Sequence, residues 1–320
     1  VHSNDGLYVC GNPTFNGDTD TYYNSPTSNN VFQSAQFGGP GALKNPLSCS
    51  NAPVWSRNND PAQGSLLAFP PVNTSIKNQA DAAVGGTGCL YTGPTTITLK
   101  NVGGVGKMDV TSPTTRSTNA GCGPGTDLSL PANGVVYVQN IPTATSNPNY
   151  SACSGAACYG DVRLSGTLNG QLTIASEDDI VIIGNMQYHV YPGGNDVLGL
   201  VADNDVAVYH PISSGANASG SLTSPRIDAA ILSLNHSFYV QNWDQGAPLG
   251  TLKINGVITQ KFRGPVGTFS GNPPVIVSGY NKDYNYDTRL KYLSPPYFLS
   301  PTQSAWGRIS YAELTPNPTP

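Results

Sequence analysis

Leu172-Thr173-Ile174-Ala175-Ser176-Glu177-Asp178-Asp179-Ile180-Val181-Ile182-Ile183 is the stretch on which the fold turns. Leu172 and Ile174 alternate with Thr173, the period of a strand with one buried face. Glu177-Asp178-Asp179 then breaks the pattern with three carboxylates, which suit a turn. Ile180-Val181-Ile182-Ile183 is a short apolar run rich in β-branched residues, and it reads as a buried strand.

The same unit recurs outward in both directions. Upstream, Val162-Arg163-Leu164 alternates again, and Asn169-Gly170 marks a turn. Downstream, Leu198-Gly199-Leu200-Val201-Ala202 and Val206-Ala207-Val208-Tyr209 flank Asp203-Asn204-Asp205. Residues 227–234, Phe238-Tyr239-Val240 and 251–258 continue the theme, and 134–138, 95–99 and 89–91 precede it. Strand-and-corner units without helical spacers predict an all-β chain. They point to an irregular right-handed parallel β-helix, a solenoid in which each coil covers its neighbour's apolar face. Antiparallel hairpins in a sandwich, with Asn169-Gly170 as a two-residue turn, are the competing arrangement.

Composition agrees with strands. Two Glu stand against 17 Asp, and there are only two Met and eight Lys, so strong helix formers are scarce. Gly (36) and Pro (27) supply tight turns. Charged residues make up 11% and the net charge is −4, with no basic patch, which argues against nucleic acid as a partner.

Six cysteines, Cys10, Cys49, Cys89, Cys122, Cys153 and Cys158, lie in the first half without zinc-site spacing. An even number in that pattern predicts three disulfides in an oxidising compartment. Fifteen connectivities are open, and sequential pairing (10–49, 89–122, 153–158) is the simplest. The expected organisation is a β-helix over 1–270 with loop insertions at 18–80 and 112–132. An aromatic C-terminal cap over 271–314 and an extended tail over 315–320 follow. No signal peptide or membrane span is visible, so any membrane attachment is expected through an anchor absent from this chain.

Several stretches resemble PilX-like, type IV pilus-associated bacterial surface proteins with a β-helical ectodomain. They include Val1-His2-Ser3-Asn4-Asp5 with Cys10-Gly11-Asn12-Pro13-Thr14-Phe15-Asn16-Gly17, residues 172–182 and Asn255-Gly256-Val257-Ile258-Thr259-Gln260. Arg263-Gly264-Pro265-Val266-Gly267-Thr268, residues 282–289 and Pro295-Pro296-Tyr297-Phe298-Leu299 complete the set. The resemblance implies an exported surface protein preceded by a pilin-like helix, and it carries over no catalytic residues.

Candidate sites are few. Glu177, Asp178 and Asp179, with Asp203 and Asp205, offer oxygens for calcium or paired carboxylates for glycoside chemistry. The plainer reading is a solvated corner whose carboxylates accept turn amides. Arg263, Asp283, Asp287 and Arg289 are expected to pair across the cap and the last coil. Trp243, beside Asn242 and Asp244, is the best candidate for stacking on a sugar ring. Gly103-Gly104-Val105-Gly106-Lys107 lacks the spacing and hydroxyl of a phosphate loop. The expected function is a non-catalytic structural component of a pilus-like filament or envelope layer, extracellular or surface-displayed and self-associating. A carbohydrate-binding adhesin and a β-helical polysaccharide lyase or glycoside hydrolase are the alternatives.

Overall fold

The computed structural model describes residues 67–115, 119–141, 159–271 and 275–299, together with Thr19 and short strands between residues 2 and 63. Two compact units result: residues 1–69 with 301–320, and residues 70–300.

In the first unit the described strands are β1 (His2–Ser3), β2 (Leu7–Val9), β3 (Thr14–Phe15), β4 (Asp20–Thr21), β5 (Val31–Gln33), β6 (Val54–Trp55) and β7 (Ala62–Gln63). All their pairings are parallel: β1 with β4 with β7, β2 with β5, and β3 with β6. The loop insertion expected over 18–80 therefore contains four strands, and its last part forms the helix α1 (Thr74–Ala80). Runs of two or three paired residues are too short to carry a visible alternation.

The second unit is all-β apart from α1 and short 3₁₀ turns. Its strands are β8 (Cys89–Thr92), β9 (Thr95–Val102), β10 (Val105–Thr111), β11 (Thr114–Thr115), β12 (Gly125–Ser129), β13 (Val135–Gln139), β14 (Val162–Leu168), β15 (Gln171–Ser176), β16 (Ile180–Tyr188), β17 (Val197–Ala202) and β18 (Val206–Val208). They continue with β19 (Ile212–Ser213), β20 (Ala216–Asn217), β21 (Arg226–Ser233), β22 (Phe238–Val240), β23 (Pro248–Gln260), β24 (Gly267–Ser270) and β25 (Val275–Tyr286). All but the β19–β20 ribbon join one curled, mixed 16-stranded sheet.

Its interior is parallel. One series runs β8, β13, β15, β17, β21, β23, β25, and a second runs β9, β14, β16, β18, β22. The margins are antiparallel: β10 and β12 extend β9, β11 adds to β8, and β24 folds back on β25. The insertion expected over 112–132 thus supplies sheet strands. Residues 275–286, expected in a cap, form a strand paired with β23, so the expected boundary at 270 falls within continuous pairing.

Register stacks like on like. Cys89, Val136, Ile174, Leu200 and Ile231 form one buried column, and Ile97, Leu164, Ile182, Val208 and Val240 form another. Each such side chain contributes about 1.5–3 kcal/mol on full burial. The other face of the first series is buried too, through Leu90, Tyr137, Val201 and Leu232. Near Tyr137 it is covered by α1, whose leading residue Asn73 accepts the Tyr137 hydroxyl at 2.6 Å. Nearby, residues 295–298 lie against it. Thr173 Oγ1 donates to the Pro296 carbonyl, and a Cβ on Gly199 would sit 2.6 Å from the Phe298 ring. The proline-aromatic segment is therefore a strap along the side of the sheet. Double coverage explains why 197–202 and 229–232 are continuous apolar runs rather than alternating ones.

Cys89 and Cys122 form a disulfide. Cys10, Cys49, Cys153 and Cys158, and with them the other two expected bridges, lie outside the described residues.

Candidate functional site

The acidic corners stack. Asp161, Asp179 and Asp205 each immediately precede a strand of the second parallel series, so register places them one above another. Each carboxylate reaches one turn along. Asp161 Oδ1 accepts from the Asp179 amide at 3.3 Å, Asp179 Oδ1 from the Asp205 amide at 2.9 Å, and Asp205 Oδ1 from the Ser237 amide at 2.9 Å. Gln260 Oε1 accepts from the Phe238 amide at 2.8 Å. These side chains satisfy corner amides that strand pairing leaves free. Glu177 does similar work beside them. Its Oε2 accepts from the Asn140 amide at 2.7 Å, and its Oε1 lies 3.5 Å from Lys77 Nζ.

Oxygens of Asp161, Asp178 and Asp179 lie within 4.8 Å of one another. They have the hard-oxygen chemistry that calcium takes, though Asp161 and Asp179 each already accept a backbone amide. Burial raises the pKa values here. Desolvation pushes Asp161 up to about 6, against the opposing hydrogen bond from Asp179 and with the Asp179 and Asp178 charges adding to the rise. Desolvation, then the Glu177 charge, pushes Asp203 up to about 6. Asp203 Oδ1 is buried without a hydrogen-bond partner among the described residues.

These shifts carry a sign. In the unfolded chain an aspartate titrates near 3.9. Between about pH 4 and pH 6 the folded protein therefore binds more protons than the unfolded one. The contribution to stability is fully present below that window and is lost as pH rises through it. Thermal melts are expected to show a higher midpoint near pH 5 than near pH 7, and Asp161→Asn to remove part of that difference. A midpoint that falls steadily on acidification from neutrality would show that these carboxyls are not desolvated.

The C-terminal charges divide. Asp287 and Arg289 form a bidentate pair, with Nη2 to Oδ2 at 2.7 Å and Nε to Oδ1 at 3.0 Å. Arg289 also donates to the Gly194 carbonyl at 2.7 Å, and its guanidinium lies 4.9 Å from the ring centres of both Tyr188 and Tyr191. Asp283 faces Lys253 at 3.8 Å on the surface, and Arg263 has no carboxylate partner among the described residues. A second pair, invisible in the sequence, adjoins Arg289. Asp228 is fully buried and accepts from Arg226 Nε, Arg226 Nη2, Asn255 Nδ2 and the Tyr188 amide. Tyr191 stacks with both guanidiniums, Arg226 at 5.3 Å on its ring and Arg289 at 4.9 Å.

Trp243 lines a third place, an open groove of about 330 Å³ shared with Asp205, His236, Ser237, Tyr239, Phe262 and Pro265. Tyr239 projects outward from β22, since its neighbours Phe238 and Val240 point into the core. The crossing at Gly264 is tight, because a Cβ there would meet the Phe238 carbonyl oxygen. The Val240 amide donates to the Pro265 carbonyl at 3.0 Å, and together these contacts lay residues 262–265 alongside β22. Of these lining residues the sequence reading singled out Trp243 and Asp205. His236, Ser237 and Tyr239 lie in the same segment as Trp243, and Phe262 and Pro265 come from a second segment about twenty residues on, which no sequence pattern links to the first.

Comparison with known proteins gives no match, whether to a family model, a curated protein or a solved structure.

Proposed function

We propose that this chain is a non-catalytic structural subunit of a cell-surface layer or pilus-like filament, built as an irregular right-handed parallel β-helix. Three features support the β-helix. The chain alternates between two parallel series, like residues stack in columns, and a stacked Asp repeats at one corner. Parallel crossovers are almost always right-handed. The Cys89–Cys122 bridge accords with an oxidising, extracellular setting. Among the candidate carboxylates Glu177, Asp179 and Asp205 accept backbone amides, which is structural work.

The observation that carries the self-associating role is the last strand. Residues 281–286 of β25 pair with β23 on one side, and among the described residues no strand lies on the other. Tyr284 and Tyr286 are exposed there at 41% and 52%. An open parallel edge of this kind accepts a further strand from a neighbouring subunit. Lys282 and Asp283 on the same edge discourage indiscriminate pairing and favour one register.

Sedimentation and light scattering across a wide concentration range are expected to show growing assemblies, visible as particles by negative-stain microscopy. Tyr284→Lys with Tyr286→Lys is expected to hold the chain monomeric while leaving its circular dichroism unchanged. A parent chain that stays strictly monomeric at high concentration would sink the proposal.

A further inference from the structure

We infer that the groove between β22 and residues 262–265 binds a neutral, β-linked carbohydrate chain of glucose-like configuration. The inference stands apart from the structural role above and would survive its failure.

The walls are rings. Tyr239, Trp243, Phe262 and Pro265 come from neighbouring segments, and Phe262 is 59% exposed, with the Lys261 ammonium 5.8 Å from its ring centre on one side and the other side open. Isolated exposed aromatics are ordinary, but several lining one concave site are not. Trp243 also packs against the core, which fixes it as a wall. Pyranoses with equatorial hydroxyls present flat C–H faces that stack on such rings, and they keep their hydroxyls at the perimeter.

The rim matches that perimeter. Asp205 Oδ2 lies 3.3 Å from His236 Nδ1, and the His236 side chain is 58% exposed. Among the described residues the Tyr239 hydroxyl, the Trp243 indole N–H, the Ser237 hydroxyl and His236 Nε2 have no hydrogen-bond partner. An apolar platform with a few convergent polar groups lacking partners is the make-up of a small-ligand site. The volume of about 330 Å³ lies at the lower end for such sites and suits one or two sugar rings.

Charge selects within the class. Asp205 lines the groove, exposed Asp244 follows Trp243 directly, and Asp179 is close enough to Tyr239 to raise its hydroxyl pKa further after desolvation. Three carboxylates stand against two adjacent cations, Lys261 beside the Phe262 ring and exposed Arg263, so the groove keeps a net acidic lining that uronic-acid polymers would meet as like charge. A neutral glycan meets the carboxylates as hydrogen-bond acceptors for its hydroxyls.

The test uses the full chain and three soluble probes: cellotetraose, chitotetraose and tetragalacturonate. Saturation-transfer NMR at millimolar sugar reads binding, and intrinsic fluorescence reads the three tryptophans, from which Trp243→Phe isolates the signal of Trp243. Cellotetraose or chitotetraose is expected to receive saturation and to change the fluorescence, and tetragalacturonate is expected to do neither. Phe262→Ala, at an exposed position that leaves the core intact, is expected to weaken binding on the order of tenfold, the factor that 1.4 kcal/mol makes. Trp243→Phe, which keeps a ring against the core, is expected to retain binding and lose the fluorescence change. Phe269→Ala, at an exposed aromatic on β24, is expected to bind like the parent. No saturation of either β-linked glucose-like probe would overturn the inference. So would binding unaffected by Phe262→Ala, or tetragalacturonate binding as well as the neutral sugars.

Discussion

Asp228→Ala is expected to lower the stability of the folded chain by about 3–5 kcal/mol, the cost of breaking a buried ion pair by removing one partner. Asp228 is inaccessible to solvent, and its two oxygens accept four hydrogen bonds. Removing it strands the Tyr188 amide and Asn255 Nδ2 without an acceptor. It also leaves the Arg226 guanidinium, two-thirds covered, with no counter-charge. The site joins β16, β21 and β23, three paired strands distant in sequence, so the loss spreads through the sheet. Urea denaturation with a linear extrapolation measures it. Asp228→Asn keeps the volume and two acceptor lone pairs and is expected to cost less than the alanine. Lys253→Ala removes the half-exposed partner of Asp283 and is expected to leave the midpoint where it was. Equal effects for Asp228→Ala and Lys253→Ala would mean that burial does not govern these pairs.

Asp228 also marks where sequence reasoning stops. The stretch Arg226-Ile227-Asp228-Ala229-Ala230-Ile231 reads as a strand, which it is, but nothing local says that its carboxylate, on the face opposite Ile227, Ala229 and Ile231, is fully covered. The partners Tyr188 and Asn255 arrive from other turns through register alone. The groove is hidden for the same reason, since Asp205 and Phe262 reach the Tyr239–Trp243 segment only through strand pairing across the sheet. The acidic corner is different. Asp161, Asp179 and Asp205 each stand directly before an apolar run, so the repeat was present to be read, although only the last two draw attention as parts of acidic clusters. Strands from Asp161 onward are legible because alternation, β-branched residues and polar corners agree. The strap is half legible. Pro295-Pro296-Tyr297-Phe298 plainly covers something, but composition does not distinguish an end from a side. Gly199 and Thr173 decide it by leaving room and a hydroxyl on the outer face of the sheet.

Replacing both Cys89 and Cys122 by alanine is expected to cost about 4 kcal/mol, the loop-closure value for a bridge spanning this length of chain. The two residues are 33 apart in sequence. The double variant is preferable to reduction, since it leaves Cys10, Cys49, Cys153 and Cys158 untouched. Cys89 is fully buried at the start of β8, so alanine there removes a sulfur from the core and adds a smaller penalty of the same sign. The location of the damage follows from topology. The bridge ties the segment before β12 to the first strand of the parallel series. Asn119, which donates to the carbonyls of Gly86 and Gly88, holds the same junction. Beyond it β10 and β12 are attached through antiparallel pairing to β9, at a margin of the sheet. The parallel strands β15, β17 and β21 are flanked on both sides and owe nothing to the bridge. Hydrogen exchange on the variant is therefore expected to speed up in β10 and β12 first and to leave β15, β17 and β21 protected until global unfolding. Uniform acceleration would mean that the sheet opens as one unit. Negligible loss of stability would remove the strongest structural reason for placing this chain in an oxidising compartment, because its fold would then have no need of the bond.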